Sequence, residues 1–138
     1  MFQELDQAWQ EFSAKVQAVR SSGGYRCIYG EHPELVAKKY DPADLNEWNG
    51  NYAATLLDHN EIWFKGKPVI PETVAGISVN GSKAVLSFGT ISSSKLYLNG
   101  ELKVDSPWWI NTHIPIDDSL NGHRELDVTV CCKKIDGF

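Results

Sequence analysis

The sequence predicts a mainly β protein, an antiparallel β-sandwich or jelly roll with an N-terminal α-helix. The clearest observation is Asn99-Gly100, which separates two alternating apolar and polar runs within residues 96–104. A type I′ hairpin turn needs positive φ at both central positions, which Asn and Gly tolerate. Further alternating runs at 77–79, 84–91 and 125–132 are separated by turn residues. Such short strands favour an antiparallel sandwich, because a parallel sheet would need intervening helices.

The chain of 138 residues fits a single domain with three segments. Residues 1–22 are predicted to form an amphipathic helix, 23–60 a mixed lead-in, and 61–138 the core of the sandwich. Apolar residues recur every three or four positions along one face of the helix, and Gly23-Gly24 ends it. These apolar residues are Phe2, Leu5, Trp9, Phe12, Val16 and Val19. The face has two candidate partners: this protein's own sheet or a neighbouring domain, or a second copy in a short coiled coil.

The lead-in gives weaker signals than the segments on either side. Residues 25–29 are predicted to form a strand, and 42–48 a helical turn with Asp41 as its N-cap.

From residue 61 onward the β pattern is steadier. Residues 62–64 and 68–70 read as extended segments, and Pro71 excludes a central ladder position nearby. Asn80-Gly81 and Asn121-Gly122 offer further I′-type turns. In the last run, alternate residues share one face of the strand, namely Leu126, Val128, Val130 and Cys132. Trp48 and Trp63 are predicted to anchor the core.

Composition and charge limit the partners. The net charge of −5 argues against a nucleic-acid partner, because such proteins usually carry a basic face. The first residues lack the basic start and apolar stretch of a secretory signal, and no run approaches the roughly 18 apolar residues of a membrane span. The sequence therefore predicts no membrane partner, and either a protein that stays inside the cell or one piece of a longer exported chain.

Cysteines and histidines do not form a metal or disulfide pattern. Cys27, Cys131 and Cys132 are odd in number, and the adjacent pair points to opposite sides of a strand, so all three are predicted to be free. The four histidines lack the HxxxH and HExxH spacings, and no acidic stretch has the ligand ladder of an EF-hand. We therefore predict no catalytic metal.

The C-terminal half resembles the galactose-binding-like jelly roll, an accessory domain of many carbohydrate-active enzymes. The matching motifs occur in the family's order over about 75 residues: Ile62-Trp63-Phe64-Lys65, Val69-Ile70-Pro71, 85–91, Leu96-Tyr97-Leu98-Asn99-Gly100, Trp108-Trp109, Ile114-Pro115, Leu120, Gly122 and 126–130. The chain is most similar to the β-sandwich of sialate O-acetylesterase-like esterases, followed by the sugar-binding domains of glycoside hydrolases. This resemblance implies a non-catalytic module, and structural calcium is common in such jelly rolls.

The residues offer little for catalysis. A Gly-x-Ser-x-Gly elbow is missing, and residues 92–94, three serines, lie between two predicted strands with no placed base. Asp117-Asp118 and the pair Asp41 and Asp44 are better explained as solvated or capping groups than as paired catalytic carboxylates. We therefore predict that the chain is not itself an enzyme.

A binding site for glycan is predicted at Trp108-Trp109. Sugar rings stack on aromatic faces while neighbouring polar groups bind the hydroxyls. The polar neighbours here are Asp105, Asn111 and His113. A competing and commoner role for such a pair is structural: strand alternation buries one tryptophan and leaves the other on the sandwich edge or an interdomain surface.

Two functions follow. In the first, the chain is a carbohydrate-binding or accessory module, whose partner is a glycan or a catalytic domain. In the second, it is a structural or assembly protein, such as a surface or virion component, in which the sandwich is a scaffold and the helix forms a homo-oligomer. The fold alone does not separate them.

Overall fold

The computed structural model describes residues 2–20, 25–37, 40–47, 59–74, 76–78, 84–116 and 125–135. The chain begins with helix α1 (Phe2–Arg20) and is otherwise mainly strand, with two short 3₁₀ helices at Pro33–Ala37 and Pro42–Asp44. The strands are β1 (Arg26–Tyr29), β2 (Asn46–Glu47), β3 (Glu61–Gly66), β4 (Thr73–Val74), β5 (Ile77–Ser78), β6 (Ala84–Thr90), β7 (Ser93–Leu98), β8 (Glu101–Ser106), β9 (Ile110–Ile116) and β10 (Val128–Lys133).

The strands form the two antiparallel layers of a β-sandwich, which confirms the predicted fold class. One layer is a six-stranded sheet in the order β2-β1-β3-β10-β7-β8. The opposite layer contains the pair β6-β9, while β4 and β5 form a separate small ladder. Chain neighbours β6 and β7 therefore lie in different layers, as do β8 and β9.

The hairpin at Asn99-Gly100 is formed as predicted. Asn99 has φ 51° and Gly100 has φ 82°, the positive values that a I′ turn requires. Two hydrogen bonds hold the turn against the segment before β10, since the Asn99 amide donates to the Asp127 carbonyl at 2.8 Å and the Asp127 amide donates to Asn99 Oδ1 at 3.0 Å. The turn thus sets the pairing of Leu98 with Glu101 and connects the hairpin to the segment before β10, while an irregularity between Leu96 and Tyr97 shifts the register farther along the ladder.

Alternate side chains of the two layers meet in the main core. Those from the six-stranded sheet contact Ile114 of β9, with Leu86 and Phe88 of β6 partly buried beside them. The buried members of this core are Cys27, Ile62, Phe64, Leu96, Leu98, Val104, Ile114, Leu126, Val128, Val130 and Cys132. All four residues predicted to share one face of the last strand segment are among them.

A second, smaller core covers the outer face of the six-stranded sheet. Leu35 and Leu45, from the segment that carries the 3₁₀ helices, pack against Trp63 and Cys131. Trp63 is buried as predicted, but on this outer side. Cys131 and Cys132 lie in different cores, which confirms that adjacent side chains point to opposite faces, and all three cysteines are free.

Several local predictions need correction. The 3₁₀ turn at Pro42–Asp44 has Asp41 as its N-cap, with Asp41 Oδ1 accepting from the Ala43 amide at 2.9 Å, but 46–47 pair with β1 as strand β2 and do not continue the turn. The last strand begins at Val128 instead of Glu125, since the Glu125 segment forms only an isolated bridge to Val69.

The apolar face of α1 is exposed where its side chains are described. Phe2, Leu5 and Trp9 are 78%, 68% and 66% exposed. Packing of these three residues against the protein's own sheet is therefore a wrong prediction, because contacts of the helix with β4 leave their side chains largely in solvent.

Some predictions lie outside the described residues. These are the Gly23-Gly24 stop, Trp48, the turns at Asn80-Gly81 and Asn121-Gly122, and Asp117-Asp118. None of the helical residues described forms a stretch long and apolar enough to cross a membrane.

Candidate functional site

Trp108 and Trp109 lie in the link that carries the chain from β8 in one layer to β9 in the other. Their exposed fractions are 57% and 61%. Ser106 Oγ holds the link by donating to the Trp108 carbonyl at 2.8 Å and accepting from its amide at 3.4 Å. Burial of one tryptophan by strand alternation is a wrong prediction, because regular alternation resumes only at Ile110, beyond both rings.

Asn111 and His113 lie on the exposed face of β9. The side chains of Thr112 and Ile114, which alternate with them, point inward, and Ile114 is buried. Gly89 of β6 lies opposite Asn111. A Cβ built at Gly89 would lie 3.8 Å from Asn111 Oδ1, an ordinary van der Waals contact, so the Asn111 side chain lies beside the glycine.

Asp105 belongs to the other layer. It is exposed, lies opposite Lys95 in the β7–β8 ladder, and shares the outer face of the six-stranded sheet with Cys131. The five predicted residues are therefore not gathered on one surface. The tryptophans occupy the sandwich edge, with Asp105 on one side of it and Asn111 and His113 on the other.

A serine and a histidine that could act together were missed by the sequence analysis. Ser87 Oγ lies 2.9 Å from His113 Nδ1 across the β6–β9 ladder. Hydrolytic nucleophiles need such a base, and the base in turn needs an orienting group. In the part of the chain that the structure describes, no carboxylate contacts this imidazole, and the pair faces solvent, so its arrangement is that of a cross-strand hydrogen bond.

Polar groups also occupy the outer face of the six-stranded sheet. Glu61 Oε1 accepts from Trp63 Nε1 at 3.0 Å and from Cys131 Sγ at 3.3 Å. Burial, followed by the hydrogen bond to Glu61, raises the pKa of the Cys131 thiol to about 12. The thiol is therefore neutral and a poor nucleophile near neutral pH.

Lys65 is the least expected polar residue of this face, being only 1% exposed. Its Nζ donates to the Leu35 carbonyl and to Thr129 Oγ1, both at 2.7 Å, and forms an ion pair with Asp127. The Tyr40 ring centroid lies 5.4 Å from the same nitrogen. Because protein groups surround the Lys65 ammonium group, we interpret its role as structural. It holds the segment that contains Leu35 against the outer face of the six-stranded sheet.

No metal centre is formed by the residues described. Groups of three or more His, Cys, Asp or Glu side chains that could hold an ion do not occur among them. The structural calcium implied by the resemblance therefore has no such donor set in this part of the chain.

Comparison with known proteins supports the architecture. The chain is similar to part of a solved β-glucuronidase of Faecalibacterium prausnitzii, with a TM-score of 0.54 and 22% identity over 85% of this chain and 23% of that one. The chain thus spans about a quarter of that enzyme's length. Searches against protein-family models and against curated proteins gave no match. At this identity the likeness concerns the fold alone.

Proposed function

We propose that this chain is a non-catalytic β-sandwich module of a carbohydrate-active protein and that it binds glycan through Trp108 and Trp109. The observation that carries the proposal is the exposure of both rings on a link held by Ser106. Large aromatic groups left in solvent are costly, and grouped exposed apolar surface marks interaction sites.

The chemistry around the rings suits a sugar. The apolar C–H face of a pyranose can stack on an indole, and polar groups beside it can bind the hydroxyls. Asn111 offers an amide beside Gly89, and His113 an imidazole one step along the same face. Asp105 is available to a longer glycan that extends over the edge towards the other layer.

The fold likeness to part of a β-glucuronidase agrees with a module role, because such a piece covers 23% of that chain. For the finer relationship we propose the β-sandwich of sialate O-acetylesterase-like esterases or the sugar-binding domains of glycoside hydrolases. This rests on the order of the motifs from residue 62 to residue 130.

Glycan-array screening followed by calorimetry with the best soluble glycan tests the proposal. Trp108→Ala and Trp109→Ala should each weaken binding about tenfold, since a stacked aromatic contact contributes on the order of 1 kcal/mol. Trp9→Ala is the matched control, because it removes a tryptophan of similar exposure from α1. It should leave the glycan affinity unchanged.

Binding that survives both loop substitutions would contradict the assignment of the site. Absence of binding to any glycan on the array would contradict the function.

A second candidate function, assembly with another chain or with a catalytic domain, is favoured by the exposed face of α1. Phe2, Leu5 and Trp9 form an apolar stripe on a surface helix that would otherwise be expected to face a core. In this alternative the sandwich is a scaffold and the helix mediates the contact.

A further inference from the structure

A groove of about 660 Å³ lies over the outer face of the six-stranded sheet, beside the tryptophan link. It is found where β7 begins and where β8 and β10 end. Pro107, which directly precedes Trp108, lines it. A glycan that stacks on Trp108 and Trp109 could therefore extend directly into this groove.

Positive charge predominates in the groove. Lys95, Lys133 and Lys134 line it, against a single carboxylate, Asp105. None of the three lysines forms an ion pair with a carboxylate of the described residues, whereas Lys103 nearby on β8 is paired with Glu101 at 3.2 Å. In a chain of net charge −5 this grouping is a local exception.

Strand register explains why the lysines meet here. Lys95 of β7 and Cys131 of β10 are directly opposite each other, and Lys133 follows two positions after Cys131 on the same face. Asp105 lies on the far side of Lys95. Lys95 and Lys133 thus lie on either side of Cys131, whose neutral thiol forms the base of the groove. Glu61 accepts the hydrogen bond of that thiol but does not line the groove.

We propose that this groove binds the anionic group, a carboxylate or a sulfate, of an acidic saccharide, with Lys95 and Lys133 as its cationic contacts. The proposal rests on the proposed function, which it narrows from glycans in general to acidic ones. Charge-assisted hydrogen bonds from ammonium groups to such anions are short and strong in a partly enclosed site.

Calorimetry with three tetrasaccharides tests the proposal: a uronate-containing one from hyaluronan, a sulfated one from heparin, and neutral chitotetraose. We expect at least one acidic probe to bind about tenfold or more tightly than the neutral probe. Because the heparin probe carries carboxylates as well as sulfates, similar affinity for both acidic probes indicates that the carboxylate is bound, and tighter binding of the heparin probe indicates a contribution from sulfate. Raising the salt concentration should reduce the difference between acidic and neutral probes by screening the charges.

Lys95→Met and Lys133→Met should each lower the affinity for the preferred acidic probe about tenfold and leave chitotetraose binding unchanged. The substitution keeps the aliphatic stem, and both side chains are exposed, so the fold should be retained. Lys103→Met removes a charge outside the groove and is the matched control, with an expected change below twofold.

Equal affinity for acidic and neutral probes, or lysine variants that bind like the parent, would overturn this inference and leave the tryptophan site intact. Failure of all three probes and of the glycan array would overturn both.

Discussion

At the scale of single residues, Lys65 shows how a charge can hold a surface segment onto a sheet. Its ammonium group contacts the Leu35 carbonyl from the covering segment, Thr129 from β10, and Asp127 from the stretch before β10. Removing one member of a buried ion pair leaves the other charge uncompensated, which is usually worse than removing both.

We therefore expect Lys65→Met to lower the free energy of unfolding by about 3–5 kcal/mol, measured by urea denaturation. The double variant Lys65→Met with Asp127→Asn should lose less, because no unpaired carboxylate remains buried. Lys103→Met breaks the exposed pair with Glu101 and should cost below about 1 kcal/mol. A Lys65→Met cost equal to that of Lys103→Met would show that the buried pair does not hold the segment.

Only part of the candidate site at Trp108 and Trp109 could be predicted from the sequence. The motif Trp108-Trp109 with polar neighbours could be found because both rings and both flanking strands are local features. The separation of Asp105 from Asn111 and His113 by the sandwich edge could not be predicted. Strand alternation shows which residues of one strand share a face, but not how that face is oriented relative to another strand. Lys65 was missed for a related reason: its buried partners lie 30 to 64 positions away in the chain.

At the scale of elements, two strand glycines have opposite surroundings. Gly66 ends β3, and a Cβ there would clash with the Tyr25 ring, which packs against the main core from just before β1. Gly89 lies in β6, where an added Cβ would make only ordinary van der Waals contacts, the nearest at 3.7 Å. Neither needs a positive φ, so steric contact is what distinguishes them.

Gly66→Ala should lower the free energy of unfolding by about 1–3 kcal/mol, the usual cost of overpacking. Gly89→Ala should change it by less than about 0.5 kcal/mol, as for an unhindered surface position. In a Tyr25→Leu background the Gly66→Ala cost should shrink, which a double-mutant cycle of thermal or urea unfolding would measure. An equal cost in both backgrounds would mean that the ring is not the obstacle.

The elements could be predicted to the degree that their signals are local. The Asn99-Gly100 turn, the helix and the alternating strands all depend on residues within one turn or one strand of each other. The cover over the outer sheet face could not be predicted, because Leu35 lies within one short 3₁₀ helix and Leu45 directly follows the other, and such short turns show no hydrophobic period. The sequence pattern of β10 predicts one buried face. The structure buries all residues from Val128 to Cys132, on both faces, because the unpredicted cover lies over the outer one.

At the scale of the whole molecule, the sandwich and the helix differ in how completely they are packed. The six-stranded sheet has cores on both faces. The helix, in contrast, presents Phe2, Leu5 and Trp9 to solvent. An amphipathic helix gains most of its stability by burying its apolar face, so a partner surface would stabilise it.

Self-association through this face is the prediction that separates assembly from a purely monomeric module. If α1 pairs with α1 of a second copy, sedimentation equilibrium should give a dimer or larger species, and Leu5→Glu should weaken association at least tenfold by placing a charge in the contact. Gln7→Glu adds the same charge on the opposite, polar face, where Gln7 hydrogen-bonds Glu11, and should leave association unchanged. A monomer at every concentration, or equal effects of the two substitutions, would exclude a second copy as the partner. The exposed stripe would then be assigned to contact with a different domain or chain, the accessory role in which the sandwich supports a catalytic neighbour.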